Sequence, residues 1–166
     1  MRQRLTSKAL TASISFYLAI FCLISPRHVC AWTGRVLGVA AGETITVLKN
    51  RKSVEVLLYG IDCPENGQPF SEQAIEFASK MVFGKVVEAH RMNTDRQGRT
   101  VALVSVDKSL LNEELVKAGL AWVYNRSCYE VICETWKHYQ LRAKINKRGL
   151  WSDSNPIPPW EFRRNK

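Results

Sequence analysis

The sequence predicts an α+β fold, mainly β, built as a small closed β-barrel of five strands with three helices. Three observations carry this. Five short segments are rich in β-branched residues and bounded by Gly or charged turns. Three further segments repeat apolar residues at helical spacing. The helices are interspersed with the five strands, which suggests a small closed β-barrel. A different five-stranded α+β arrangement fits the same pattern.

Segments 34–39, 44–48 and 54–59 read as consecutive antiparallel strands. Ser71 follows Pro69-Phe70 and can cap a helix in which Ala74, Phe77, Ala78, Met81 and Val82 form one face, with Gly84 as its stop. Segments 86–91 and 100–106 are the last two strands, around the polar loop MNTDRQGR. The second helix spans 111–117 and ends at Gly119. The third runs from about 132 to 147, with Trp136, Tyr139, Gln140 and Ala143 on one face and Gly149 beyond it. The tail 153–166 is proline-rich and basic, and reads as a surface wrap without regular structure.

The N-terminus is of another kind. Arg2, Arg4 and Lys8 precede the uncharged run ISFYLAIFCLI at 14–24, and Val29-x-Ala31 is a small-residue cleavage pattern. This is the layout of a secretory signal peptide, 1–31, followed by one domain, 32–166. A membrane-spanning helix needs about 20 apolar residues, roughly twice the apolar core present, so stable membrane insertion is not expected once the signal is cleaved. The chain carries a net charge of +9, and loss of residues 1–31, which hold four of its 24 Lys and Arg and no acid, leaves +5. An exported basic protein suits a polyanion such as nucleic acid, anionic lipid or a cell-wall polymer.

Cys63, Cys128 and Cys133 remain after cleavage. Cys128 and Cys133 can be bridged if the segment SCYEVIC turns there, and export favours it. Cys63 then stays a free thiol. There is no Cys-x-x-Cys and no paired-histidine spacing, which excludes the usual zinc sites. His90 and His138 read as structural or surface residues.

Five stretches occur in a telling order: GIDCPE at 60–65, TDRQGR at 94–99, LNEELVKAGLAWVY at 111–124, RGLW at 148–151 and NPIPPWEFRR at 155–164. Together they resemble the staphylococcal nuclease (thermonuclease) family over about residues 33–164. The resemblance implies an OB-fold and a monomeric hydrolase that cleaves DNA and RNA phosphodiesters with one Ca²⁺ ion, leaving 3′-phosphates and 5′-hydroxyls. Such chemistry needs carboxylates for a hard cation, guanidinium groups for the phosphate, and a carboxylate to activate water.

Carried over by position, the resemblance makes Glu65 the general base and Arg99 one of two phosphate-clamping arginines. Asp62, Glu43 and the backbone carbonyl of Cys63 become the metal ligands. Arg96 and Tyr124 are candidates for nucleic-acid contact, Tyr124 by stacking on a base. Asp95 reads as a brace of its loop. Four positions depart from the family pattern, one of them Gln97, which stands in place of a tyrosine before the Gly98-Arg99 pair. Ala41 replaces a first aspartate, Glu43 lengthens a second by one methylene, and Leu57 stands where the other clamping arginine is expected. Weakened catalysis follows as the expectation, with a nucleic-acid-binding module of the cell envelope that has lost catalysis as the alternative. An exposed hairpin glutamate explains Glu43 as well as a ligand does.

Overall fold

The computed structural model describes residues 31–165. The proposed signal peptide lies almost wholly outside the described residues. Strand β1 (Ala31–Ala41) turns back at Gly42 and Glu43 into β2 (Thr44–Lys49), which turns at Asn50 and Arg51 into β3 (Lys52–Leu58). Asn50 and Arg51 both adopt positive φ, 48° and 64°, which suits a two-residue hairpin turn with the twist of the flanking strands. The short β4 (Ile61–Asp62) follows, then helix α1 (Ser71–Val82), β5 (Val86–Thr94), β6 (Thr100–Val106) and β7 (Ser109–Leu110). Helix α2 (Leu111–Lys117), β8 (Trp122–Val123), α3 (Ile132–Ile145) and a helical turn, α4 (Pro159–Phe162), complete the order.

The main sheet runs β3-β2-β1-β5-β6-β7, and a parallel pairing of β3 with β6 closes its first five strands into a barrel. Strand β1 serves two partners. Its residues 35–41 pair with β2 and residues 31–35 with β5. Register shifts between Val36 and Gly38 and between Val39 and Ala41 bend it enough to do so. Period-2 alternation then fills the interior with Ile45, Val47, Val56, Leu58, Val87, Ala89, Ala102 and Val104, all buried.

Helix α1 covers the barrel through Ala74, Ala78 and Val82, four residues apart and fully buried. Ser71 does not cap it. The cap position is Phe70, in left-handed conformation at φ 69°, and no side chain caps the N-terminus. Helix α3 buries Trp136 and Ala143, while Tyr139 and Gln140 are half-buried. Cys128 and Cys133 form a disulfide at the start of that helix, with Cα atoms 5.7 Å apart, and Cys63 is a buried free thiol. The tail departs from the irregular wrap expected of it: α4 anchors it, with Pro159 buried. Among the described residues, no helix is long and apolar enough to cross a membrane.

One polar side chain lies at the centre. Asn112, fully buried on α2, accepts the N–H of Val104 at 3.0 Å and donates its amide to the carbonyls of Tyr59 at 3.0 Å and Ala102 at 3.3 Å. It ties the helix to the barrel seam between β3 and β6. Asn112→Leu would leave the Val104 N–H and the Tyr59 carbonyl without their partner, so a loss of about 3 kcal/mol is expected. Urea unfolding should show a lower midpoint at unchanged slope. A loss below about 1 kcal/mol would show that the seam closes without the amide.

Candidate active site

The turn after β3 brings the candidate carboxylates together. Gly60, at φ 73°, reverses the chain against the disulfide, where a Cβ would come within 2.6 Å of the Cys128 sulfur. Strand β4 then pairs with β8, placing Asp62 opposite Trp122. Asp62 is buried; Glu65, three residues on, is half-buried. Its backbone N–H donates to the Gln68 side-chain oxygen at 3.0 Å, and the Gln68 N–H returns to the Glu65 carbonyl at 2.7 Å. This closed turn fixes where the Glu65 carboxylate points.

Glu43 comes from the β1–β2 turn. Gly42 lets that turn press against the site: a Cβ there would meet the Cys63 sulfur and Ala74 at 2.8 Å. The Glu43 carbonyl accepts the Leu58 N–H at 2.8 Å, and its carboxylate accepts the Cys63 N–H at 3.2 Å. The exposed hairpin glutamate that the sequence allowed is therefore replaced by a half-buried, inward one. Burial pushes its pKa up to about 7, and the charge of Asp62 adds to this. Burial also raises Asp62, against the opposing pull of Arg163. Burial raises the Cys63 thiol well above its ordinary value, with Glu43 adding to it, so Cys63 stays protonated and is no nucleophile.

Arg163, unremarked in the sequence reading, sits on this cluster. Its guanidinium grips both oxygens of Asp62, at 3.1 and 2.8 Å, and also donates to Glu65. The bonds to Asp62 and then Glu65 raise its already high pKa further. Nothing local announces it, because its partners lie 101 and 98 residues away. The basic pair after an aromatic anchor, WEFRR, is the one available signal.

The remaining candidates lie apart from the carboxylates. Leu57 is half-buried and pairs with Thr44 across the hairpin, beside the turn that carries Glu43. Ala41 ends β1 opposite Thr44. Arg99 is held by Asp95 at 2.8 Å and faces Glu55 at 4.0 Å. Asp95 also accepts the backbone N–H groups of Gln97 and Arg99, at 3.0 and 2.8 Å, bracing the loop. Arg96 is exposed at the tip of that loop. Tyr124 is half-buried with its ring 5.2 Å from Trp160, and Trp160 lies 5.6 Å from Trp122. His138 is exposed and His90 half-buried on β5.

Glu43, Asp62 and Glu65 are hard oxygen donors; burial first, and the charges of Asp62 and Glu65 after it, disfavour the Glu43 carboxylate, which a hard cation beside it would favour. The donor chemistry fits such an ion. Among the described residues, no group of three or more His, Cys, Asp or Glu side chains is spaced to hold a metal ion. Arg163 and a cation would compete for the same Asp62 oxygens.

The Glu43 shift has a signed consequence for stability. A carboxyl whose folded pKa is raised stabilises the fold while protonated, fully below about pH 4.5, and loses that contribution as pH rises through about 7. In chelator, stability should fall by up to about 3 kcal/mol across this window. Glu43→Gln should flatten the fall and be the more stable protein at pH 8. Identical pH profiles for both proteins would show that Glu43 is not held in this environment.

Comparison with known proteins places the site in a family. The sequence profile described as "Staphylococcal nuclease homologue" matches residues 55–153. A protein of Escherichia coli O157:H7 named "Uncharacterized endonuclease" is 37% identical over 134 residues, covering 80% of this chain and 86% of its own. One of the same name from Haemophilus influenzae is 37% identical over 150 residues, covering 90% and 83%. The "Micrococcal nuclease" of Shigella flexneri is 30% identical over 165 residues, covering 94% of each chain. With its closed five-stranded barrel and this match across most of its length, the chain belongs to the staphylococcal nuclease family.

Proposed function

We propose that the protein is an exported, monomeric endonuclease that hydrolyses DNA or RNA phosphodiesters to 3′-phosphate and 5′-hydroxyl ends with the aid of Ca²⁺. The observation that carries this reading is the convergence of Glu43, Asp62 and Glu65 at one end of a closed barrel of this family. Export is supported by the N-terminal signal pattern and by the Cys128–Cys133 bridge.

In this reading Glu43, Asp62 and the Cys63 carbonyl hold the ion, which when bound would draw negative charge from the phosphoryl oxygens. Glu65 orients a water molecule and takes its proton as the new O–P bond forms. The bond from phosphorus to the 5′-oxygen breaks in line, and that oxygen leaves with a proton. Arg99 releases Asp95 and Glu55 to clamp the phosphate, its fork matching two oxygens. Arg96 extends the basic rim along the strand. Tyr124 and Trp160 line a cavity with Asn125, Arg126, Glu161 and Arg164, where aromatic faces suit a nucleobase and two arginines against one acid leave net positive charge for its phosphate.

Ala41, Glu43 and Leu57 are expected to weaken the activity. Loss of one transition-state donor costs about 10²–10³ in rate, and a misplacement of about 1 Å costs on the order of a hundredfold. A second reading draws on Arg163: with a guanidinium seated on Asp62 and Glu65, the site already has its cation, and the chain could serve as a nucleic-acid-binding module without catalysis. The test is cleavage of single-stranded DNA and RNA by purified protein in Ca²⁺ or chelator, beside Glu65→Gln. Calcium-dependent cleavage that falls on the order of 10³ in Glu65→Gln is expected, given the usual size of general-base effects. Retained DNA binding with no cleavage in either condition would replace the enzyme by the binding module.

A further inference from the structure

Arg163 is delivered to the carboxylates by a built strap, not by a loose end. Pro159 is buried, Trp160 packs between Trp122 and Tyr124, and the Ile157 carbonyl accepts the Gln68 amide at 2.6 Å. The same Gln68 side chain braces the Glu65 backbone at 3.0 Å. The backbone that carries Arg163 is therefore anchored beside the Glu65 turn, and the guanidinium, 44% exposed, reaches from it to the carboxylates.

The three clustered carboxylates would repel an incoming phosphodiester. Strand β3 places Leu57 next to the Glu43 turn and its one cation, Lys52, at the opposite end, so it relieves none of this. Arg99 must first release Asp95 and Glu55 before it can clamp a phosphate, and it supplies one guanidinium of the pair. Arg163 is the cation placed on the cluster, with its fork spread across two oxygens of Asp62. A phosphate presents the same pair of acceptors as a carboxylate. When a hard cation takes the Asp62 oxygens, Arg163 loses that partner while the strap keeps it over the site.

We propose that Arg163 is a catalytic residue, donating hydrogen bonds to the non-bridging oxygens of the scissile phosphate and supplying the guanidinium that β3 lacks; the inference rests on the phosphodiesterase reading above. Arg163→Ala, Arg163→Lys and the double variant Leu57→Arg/Arg163→Ala test it. Cleavage should fall about 10² in Arg163→Ala, the usual cost of losing one transition-state donor. Lysine should recover little of it, because it lacks the planar fork. Leu57→Arg should restore part of the loss, which a merely structural role for Arg163 would not allow. Affinity for a nucleoside 3′,5′-bisphosphate should weaken about tenfold, as for one charged contact. Calorimetric Ca²⁺ affinity without nucleotide should rise, since a competing cation has gone.

Cleavage by Arg163→Ala that equals or exceeds that of the parent would overturn the proposal and make the strap an inhibitor. Loss of Ca²⁺ affinity together with activity would reduce Arg163 to a brace for the carboxylates. If the parent protein itself cleaves nothing in Ca²⁺, the phosphodiesterase reading fails on its own. Bisphosphate affinity then decides for Arg163, and an unchanged value in Arg163→Ala refutes the contact.

Discussion

The buried amide of Asn112 joins the three parts of the molecule that must meet for anything else to be in place. Its oxygen takes a backbone donor from β6, and its nitrogen reaches the carbonyls of Tyr59 and Ala102 on the two sides of the barrel seam. That seam is a short parallel pairing, Val56 to Leu58 against Thr100 to Ala102, flanked by a bond from the Tyr59 N–H to the Ala102 carbonyl. A three-residue pairing between strands distant in sequence is a weak closure by itself. An amide with no exposure to water gains the full strength of a low-dielectric hydrogen-bond network. Everything that follows Tyr59, including Gly60 and Asp62, is placed from that anchor.

Charge is distributed unevenly around this frame. The chain as a whole is basic, yet the end of the barrel holds three acids, and burial first, then the charge of neighbouring acids, raises the carboxyls of Glu43 and Asp62. A basic surface gathers polyanions, and a negative hollow within it rejects them unless a cation intervenes. Two intervening cations are compatible with the oxygens present: a bound metal ion and the guanidinium of Arg163. The contest between them sets which form of the site a phosphate meets.

The barrel was legible because most of its strands are short, alternate with period 2 and are fenced by turn residues; β1, 11 residues long and bent by two register shifts, showed only its middle. Ile45 and Val47 or Val87 and Ala89 announce their inward face without knowledge of any partner. The first helix was legible by the same logic, but its start was not. Ser71 has the chemistry of a cap, whereas the chain enters the helix through a left-handed Phe70, a choice made by tertiary packing. Asp62 and Glu65 could be singled out from the motif around them, because one turn carries both. The setting of Glu43 could not. Its inward aim depends on Gly42 meeting Cys63 and Ala74, residues of other elements. Arg163 was the least legible of all, since a proline-rich basic tail looks alike whether it hangs in solvent or docks on a site, and only the aromatic packing of Trp160 decides.

The side chain of Gln68 splits its two ends between the Glu65 backbone and the tail carbonyl of Ile157. Replacing the amide by a carboxylate keeps the acceptor for Glu65 and deletes the donor for Ile157. Such a change separates two functions genetically: the turn that holds the proton acceptor stays closed while the last segment of the chain is untied. Because the Ile157 end is a backbone carbonyl, which any residue supplies, the fastening asks for an amide at position 68 and for no particular side chain at 157.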